Sequence, residues 1–226
     1  LFRLHGRGRA GMSGLPAAVV FDWDSTLVDN WGSFTIVMNA TYAHFGMPGR
    51  TQEEYRKVAA RSAREVFPAI FGDRADEARD VFYAAFTRHH LDAITTMPGA
   101  TELLAHLQER GVTLAVVSNK MGDFLRREAE YLGWETRFHR LIGANDTARD
   151  KPAPAPMIAA LEGTGQTPGE TVWYVGDTAL DMEFAHNPGC RPILVNAERR
   201  AAAEFVDHPP AVIVENCHQL ISYLGA

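Results

Sequence analysis

The chain has 226 residues, of which 46% are hydrophobic and 22% are charged, as is typical of a soluble globular protein with one substantial core. A formal net charge of −6 and the lack of a basic stripe exclude nucleic acid as the expected partner. No apolar run approaches the roughly 20 residues that span a bilayer, so we expect no membrane contact. Two cysteines are too few for a disulfide framework, and we interpret them as thiols of a cytoplasmic protein.

The N-terminal part of the chain carries a basic segment followed by the first strand. We predict that residues 1–15 form a disordered or non-native leader outside the fold. A strand is predicted over 17–21, "AAVVF", and "DWDST" follows it at once. Alternate side chains of an extended segment share a side, so Asp22 and Asp24 should point the same way. Taken alone, this pair also fits a helix cap next to a solvated carboxylate.

A long segment without strand signals comes next, and residues 28–96 are predicted to form an inserted helical cap. "TQEE" at 51–54 and "SARE" at 62–65 have the pattern of capping boxes. Residues 73–91 repeat apolar side chains at spacings of three and four, which predicts a helix with one apolar face. A short part of this segment is basic and could meet an acidic substrate, although a solvated basic face explains it equally well. The basic residues are Arg56, Lys57, Arg61 and Arg64.

After this insertion, short apolar runs alternate with helical patterns. Runs that are apolar throughout suit strands buried on both faces, and their alternation with helices predicts a doubly wound parallel sheet, a Rossmann-like α/β core. The predicted core comprises residues 16–27 and 97–226. Its further strands are predicted at 112–117, 140–144, 171–175, 192–195 and 211–214, and its helices at 101–111 and 178–189.

Polar side chains follow several of these strands. Ser118 and Asn119 end one strand, and Asp177 and Asp181 follow another, while Lys151 precedes a proline-rich helix start. Each feature alone has an ordinary explanation as a helix start, a surface lysine or an acidic helix N-terminus. Together with the first acidic turn, however, they bring four carboxylates and a lysine to the ligand-binding edge of an α/β sheet. Oxygen ligands of this kind predict a Mg²⁺ site.

In order and spacing, "DWDST", "SN", "KP" and "GDTALD" resemble the four motifs of the haloacid dehalogenase superfamily. Within that superfamily the chain looks like the phosphoglycolate phosphatases, and the resemblance implies an α/β core with an α-helical cap. It further implies that Asp22 is a nucleophile that forms an aspartyl-phosphate, that Asp24 is the general acid and base, and that Lys151 neutralises charge. Ser25 departs from the pattern, because many members have glycine there, and we expect it to bear on the turn near the metal.

The resemblance also implies two sets of binding residues. The substrate phosphate would be bound by Thr26, Ser118, Asn119 and Lys151. Magnesium would be bound by Asp22, Asp24, Asp177 and Asp181, with Asp24 contributing its backbone carbonyl.

The expected function is therefore Mg²⁺-dependent hydrolysis of a phosphomonoester. The expected partner is a small phosphorylated metabolite, and the chain is expected to be a monomer or a homodimer. Two alternatives of the same superfamily stay open, a phosphonoacetaldehyde hydrolase and a sugar-phosphate mutase. A third alternative is a binding protein that keeps an inactive catalytic loop. No P-loop pattern is present, which disfavours a P-loop kinase or ATPase.

Overall fold

The described chain contains eight strands and nine α-helices. The computed structural model describes residues 14–58, 63–195 and 201–225. The strands are β1 Ala18–Phe21, β2 Val28–Asp29, β3 Thr95–Thr96, β4 Thr113–Met121, β5 Arg140–Ala144, β6 Val172–Gly176, β7 Arg191–Val195 and β8 Val212–Val214. The helices are α1 Trp31–His44, α2 Gln52–Val58, α3 Ala63–Phe71, α4 Ala75–His89, α5 Ala100–Glu109, α6 Gly122–Tyr131, α7 Ala155–Leu161, α8 Ala179–His186 and α9 Cys217–Tyr223.

Six of the strands form one sheet in the order β5-β4-β1-β6-β7-β8, and every pairing in it is parallel. Strand β1 lies near the centre because its residues are apolar throughout and can be covered on both faces. Val19 and Phe21 pack in a cluster with α5, α6 and α9, whereas Ala18 and Val20 pack in a second cluster with α7 and α8. Helices therefore cover both faces, and the predicted doubly wound α/β core is confirmed.

The segment between β1 and β4 is helical, with a short antiparallel ribbon at its base. Strands β2 and β3 pair with each other, and helices α1 to α4 lie between them in the chain. Thr51 and Glu54 form the predicted capping box, in which the Thr51 amide donates to Glu54 Oε2 at 2.8 Å and the Glu54 amide donates to Thr51 Oγ1 at 3.3 Å. Helix α4 buries Phe82 and Phe86 in an apolar cluster of the segment, and Phe124 of α6 joins this cluster from the other side. The status of residues 28–96 as a separate cap stays a prediction.

Strand β4 is longer than the sequence indicated. It was expected to end at residue 117, but it continues to Met121, which pairs with Ala144 of β5 after an irregularity in the register that begins at Val117. Such irregularities change the direction of side chains at the edge of a sheet. The start of α6 lies very close to β5 here. Gly143 permits this approach, since a Cβ atom there would lie 2.4 Å from the Cα atom of Gly122.

Some sequence-based expectations fall outside the described residues. Residues 1–13 of the predicted leader do so, and so does residue 62, where the second predicted capping box begins. In the described ranges, no helix combines the length and the apolar character that crossing a bilayer requires.

Candidate active site

The carboxyl end of β1 delivers Asp22 into a buried polar site. The Asp22 amide donates to the Val175 carbonyl of the neighbouring strand β6 at 2.8 Å, which fixes the backbone where the strand ends. Lys151 Nζ lies 2.8 Å from Asp22 Oδ1 and 2.8 Å from Asp181 Oδ1. All three side chains are buried. The structure thus brings together the predicted nucleophile, the predicted lysine and one predicted metal ligand.

Asp181 is held at the start of α8 by a capping box. Its Oδ2 atom accepts hydrogen bonds from the Thr178 amide at 3.0 Å and from the Thr178 hydroxyl at 2.6 Å, while the Asp181 amide donates to Thr178 Oγ1. Gly176 leaves the space that this carboxylate fills, because a Cβ atom there would lie 2.5 Å from Asp181 Cγ. The ordinary explanation of this acidic residue as a helix cap is correct, but the same carboxylate also pairs with Lys151.

The charges in this site shift the pKa values of its members in opposite directions. Burial is the main cause that raises the pKa of Asp22 to about 7, and the nearby carboxylates of Asp181 and Asp177 raise it further against the ammonium of Lys151. Although burial raises the pKa of Asp181, Lys151 and the Thr178 hydrogen bonds bring it below its ordinary value. Burial lowers the pKa of Lys151, but its two carboxylate partners outweigh this and keep the amine protonated. Lys151 is therefore a fixed positive charge.

The acidic residues fit a divalent cation. Asp22, Asp177 and Asp181 are buried, and each offers a carboxylate oxygen within 4.8 Å of the others. Lys151 supplies one positive charge against these three carboxylates, so bringing them together in their ionised forms leaves negative charge to be neutralised. Hard oxygen donors of this kind suit Mg²⁺. The backbone carbonyl of Asp24 stays a predicted metal ligand. The Asp24 side chain instead binds Lys120 and Asn30.

The second acidic residue of the first loop lies beside Lys120. Lys120 Nζ is 2.7 Å from Asp24 Oδ1, and Asn30 Nδ2 donates to the same oxygen at 2.6 Å. Loss of hydration to the surrounding protein is the main cause that raises the pKa of Asp24, although 37% of its side chain stays exposed; Glu128 adds to the rise and Lys120 opposes it. A raised pKa suits a carboxyl group that must hold a proton before it donates it.

The turn after Asp24 keeps its left-handed backbone despite the serine. Ser25 has a φ of 62°, a conformation that glycine adopts without a steric penalty and that other residues adopt at some cost. Its hydroxyl accepts a hydrogen bond from Trp31 Nε1 at 3.1 Å. Thr26, next in the chain, is fully buried, and its Oγ1 atom has no hydrogen-bond partner among the residues that the structure describes.

Ser118 and Asn119 lie at the same edge of the sheet, in the irregular end of β4. Ser118 is buried and its hydroxyl accepts from the Lys120 amide at 3.2 Å. The Asn119 side chain binds the backbone of Lys151 in both directions, since its Oδ1 accepts from the Lys151 amide at 3.1 Å and its Nδ2 donates to the Lys151 carbonyl at 3.3 Å. Asn119 thus holds the loop that carries the lysine, a role that the sequence did not indicate.

The four basic residues predicted for substrate contact have different outcomes. Arg56 Nη2 lies 3.4 Å from Asp29 Oδ2, and its guanidinium is 5.3 Å from the ring centroid of Trp31. Because Trp31 donates a hydrogen bond to Ser25, one side chain separates Arg56 from the loop that carries Asp22 and Asp24. Arg61 lies outside the described residues, and so do the side chains of Lys57 and Arg64.

Sequence reasoning missed two further members of the site. The Tyr174 hydroxyl lies 2.9 Å from Lys151 Nζ and 3.2 Å from Asp181 Oδ1, and it donates to the Val117 carbonyl at 2.9 Å. Glu128 is a fully buried carboxylate of α6 that contacts Lys120 Nζ at 2.5 Å. The signals were present, since a tyrosine interrupts an apolar strand and Glu128 falls on the apolar face of its helix, three residues after Leu125.

A family model described as haloacid dehalogenase-like hydrolase matches residues 19–195. The chain belongs to this family. The predicted resemblance is thereby confirmed, and the matched residues include every core position that we assigned to the site.

Named relatives within the family are phosphatases. The chain is 29% identical over 210 residues to an N-acetylmuramic acid 6-phosphate phosphatase of Pseudomonas aeruginosa, which covers 87% of this chain and 92% of the relative. It is also 29% identical over 178 residues to a phosphoglycolate phosphatase of Xanthomonas campestris, covering 77% of this chain and 80% of the relative. These relatives bear out the predicted likeness to phosphoglycolate phosphatases.

Solved structures of the family share the fold. A haloacid dehalogenase-like hydrolase from Streptococcus pneumoniae superposes with a TM-score of 0.79 at 20% identity, covering 92% of this chain and 98% of that one. A family hydrolase from Geobacter sulfurreducens gives a TM-score of 0.75 at 23% identity, with coverage of 94% and 98%. At these identities the likeness concerns the fold alone.

Proposed function

We propose that the protein is a Mg²⁺-dependent phosphomonoesterase that transfers the phosphoryl group of a small metabolite first to Asp22 and then to water. The observation that carries this proposal is the buried ammonium of Lys151, held 2.8 Å from both Asp22 and Asp181 beside the third carboxylate of Asp177. A site with this charge pattern is built for an anionic nucleophile that has to approach an anionic phosphate.

In the first step, an Asp22 oxygen attacks phosphorus and the bond between phosphorus and the organic oxygen breaks. Lys151 keeps its contact with Asp22 Oδ1 during this step. Its positive charge reduces the repulsion between the Asp22 carboxylate and the phosphate. Mg²⁺, when bound by Asp22, Asp177 and Asp181, supplies the remaining positive charge that the two anions require. The Ser118 hydroxyl and the backbone amide of Asn119, at the same sheet edge, are proposed to bind the phosphoryl oxygens.

Asp24 is proposed to carry the proton. It donates to the leaving oxygen in the first step, and in the second step it takes a proton from the water that attacks the aspartyl-phosphate. The raised pKa of Asp24 supports the first of these roles. Thr26, with its buried hydroxyl, is proposed to support the loop and to approach the phosphate when substrate binds.

The substrate is proposed to carry a carboxylate besides its phosphate. Phosphoglycolate and N-acetylmuramic acid 6-phosphate, named for the two relatives, are both acids. Arg56 supports an acidic substrate here, because its guanidinium lies beside Trp31 near the catalytic loop and guanidinium groups bind carboxylates through paired hydrogen bonds. The helical segment, residues 28–96, is proposed to be the cap that contributes this contact and excludes water.

Further expectations accompany this function. The protein is proposed to act in the cytoplasm, with which the free and buried Cys190 and Cys217 agree. Its partners are proposed to be small phosphorylated metabolites, and its state a monomer or homodimer.

The test is phosphate release from a panel of monoesters, including phosphoglycolate, N-acetylmuramic acid 6-phosphate, sugar phosphates and p-nitrophenyl phosphate, with and without Mg²⁺. We expect release that needs the metal and is lost in Asp22→Asn. Absence of release with Mg²⁺ present would favour an inactive binding protein. Transfer to a second hydroxyl of the sugar instead of water would favour a mutase, and cleavage of phosphonoacetaldehyde would favour the phosphonate hydrolase.

A further inference from the structure

The Asp24 carboxylate is oriented through one of its two oxygens. Lys120 Nζ at 2.7 Å and Asn30 Nδ2 at 2.6 Å both approach Oδ1. Asn30 comes from the start of α1, whereas Lys120 comes from the irregular end of β4, so the two donors approach from different elements. Two donors on one oxygen fix the orientation of the carboxyl group and leave Oδ2 as the oxygen that can exchange a proton.

Lys120 is itself held by a buried carboxylate. Its Nζ atom lies 2.5 Å from Glu128 Oε2, and its side chain is only 6% exposed. Trp23 Nε1 donates to the same Glu128 oxygen at 2.7 Å. Since Trp23 stands between Asp22 and Asp24 in the chain, Glu128 is anchored to the catalytic loop on one side and to Lys120 on the other.

Two residues of the helical segment contact this network. His90 Nδ1 lies 3.4 Å from Glu128 Oε1, and the ring of Phe86 is 5.8 Å from Lys120 Nζ. His90 and Glu128 are 3% and 0% exposed in their side chains. The ammonium is therefore enclosed, with the carboxylates of Asp24 and Glu128 as its charged partners.

Stability alone does not explain such an arrangement. Replacing a buried ion pair by apolar residues of similar volume is often neutral or stabilising, so the pair needs another reason to be present. Each member of the pair also contacts the loop of residues 22–24, since Lys120 binds the Asp24 carboxylate and Glu128 accepts from Trp23. The network restricts where Asp24 can point.

We propose that Lys120, held in place by Glu128, is a positioning residue that directs Asp24 Oδ2 toward the reacting phosphate ester. This inference rests on the proposed function. In the first step the electron pair of the broken P–O bond stays on the leaving oxygen, which takes the proton from Asp24. In the second step a water oxygen bonds to phosphorus, the bond to Asp22 breaks, and the water proton returns to Asp24.

The consequence is a dependence on the leaving group. Phenyl phosphate releases a basic oxygen that needs a proton as the bond breaks, whereas 2,4-dinitrophenyl phosphate releases a stable anion that needs none. If Lys120 and Glu128 position the proton donor, their loss slows the first ester much more than the second. A general loss of structure would slow both to the same extent.

The experiment measures leaving-group release in the first turnover by rapid quench, with Mg²⁺ and both esters. The variants are Glu128→Gln and the double variant Lys120→Met with Glu128→Gln, which removes both charges of the buried pair and leaves Asp24 with Asn30 as its donor. Glu130→Gln, an exposed position two residues further along α6, is the matched control. Thermal unfolding of each variant is recorded in parallel.

For the double variant we expect the first turnover with phenyl phosphate to slow about 100-fold and that with 2,4-dinitrophenyl phosphate to slow less than about threefold. Glu128→Gln should shift both rates in the same pattern by a smaller factor, and Glu130→Gln should leave both unchanged. Equal slowing with the two esters, or no slowing with either, would overturn the positioning role. A wild-type protein that cleaves neither ester would instead overturn the proposed function, so the two failures are distinct.

Discussion

The Tyr174 hydroxyl lies 2.9 Å from Lys151 Nζ and donates to the Val117 carbonyl at the same distance, so one buried side chain of β6 links this lysine to strand β4, on the far side of β1. Lysine has a long flexible stem, and an ammonium that must neutralise a particular oxygen needs such a fixed contact. Tyr174 supplies it from within the sheet, where strand pairing holds the backbone.

Tyr174→Phe should weaken this arrangement without removing any charge. We expect the free energy of unfolding to fall by about 0.5–1.5 kcal/mol, since one buried hydrogen-bonding group is lost. The value of kcat should fall by about two- to tenfold, because Lys151 keeps both carboxylate partners but has more freedom. Urea unfolding and steady-state kinetics measure the two effects. Tyr131→Phe makes the same chemical change at an exposed position of α6, and it should change neither value.

Gly176→Ala should displace Asp181. The added Cβ atom would lie 2.5 Å from Asp181 Cγ, so the carboxylate has to move away from Lys151 and from the capping box. We expect a loss of about 1–3 kcal/mol in the free energy of unfolding from overpacking. A fall in kcat of about 100-fold should accompany it. Gly169→Ala is the control, since no atom lies within 4 Å of a Cβ added there. Wild-type activity in Gly176→Ala would show that catalysis does not depend on the position of the Asp181 carboxylate.

Magnesium binding should depend on pH through Asp22. Its pKa is raised to about 7, so below that pH a proton occupies the carboxylate that the cation needs. The apparent affinity for Mg²⁺ should therefore weaken by about tenfold for each pH unit below 7 and level off above it. Isothermal titration calorimetry with the free enzyme measures this directly. In Asp22→Asn the dependence near pH 7 should disappear; a slope that persists in this variant would mean that another group takes up the proton.

Arg56→Ala should change specificity rather than chemistry. We expect KM for phosphoglycolate to rise by about tenfold or more, as for the loss of a hydrogen bond to a charged group, while KM for p-nitrophenyl phosphate stays the same. Arg88→Ala removes an exposed arginine of α4 and serves as the control. An equal rise of KM for both substrates would contradict a role of Arg56 in binding the carboxylate.

Sequence periodicity predicted most of the α/β core, because each strand is recognisable from the apolar residues within its own short segment. Strand β1 is apolar throughout and strand β6 is apolar except at Tyr174, so their places at the centre of a covered sheet follow from the sequence alone. Asp22 and Asp177 come directly after these strands, and strand pairing then brings them to one edge. The sequence also brings Lys151 to this edge, ahead of a proline-rich helix start, and its 2.8 Å contact with Asp22 agrees with that position; its role is implied by the family resemblance.

The contacts that the sequence did not indicate depend on long-range packing. Strand β4 extends to Met121 because β5 offers a partner beyond the irregularity, and no local pattern encodes that pairing. Likewise, the apolar face of α6 indicates that Glu128 is buried, but its pairing with Lys120 is formed only when α6 packs on the sheet. A sequence pattern of single charges cannot tell a solvated side chain from a paired one, because the difference lies in the partner.

Phosphorylation of Asp22 can be detected by peptide mass spectrometry of enzyme quenched in acid during turnover of 2,4-dinitrophenyl phosphate with Mg²⁺. We predict one phosphoryl group on the peptide that contains Asp22, more of it in Asp24→Asn because the second step then lacks its base, and none in Asp22→Asn. Steady hydrolysis with that peptide unmodified, or a phosphoryl group on another residue, would rule out Asp22 as the nucleophile.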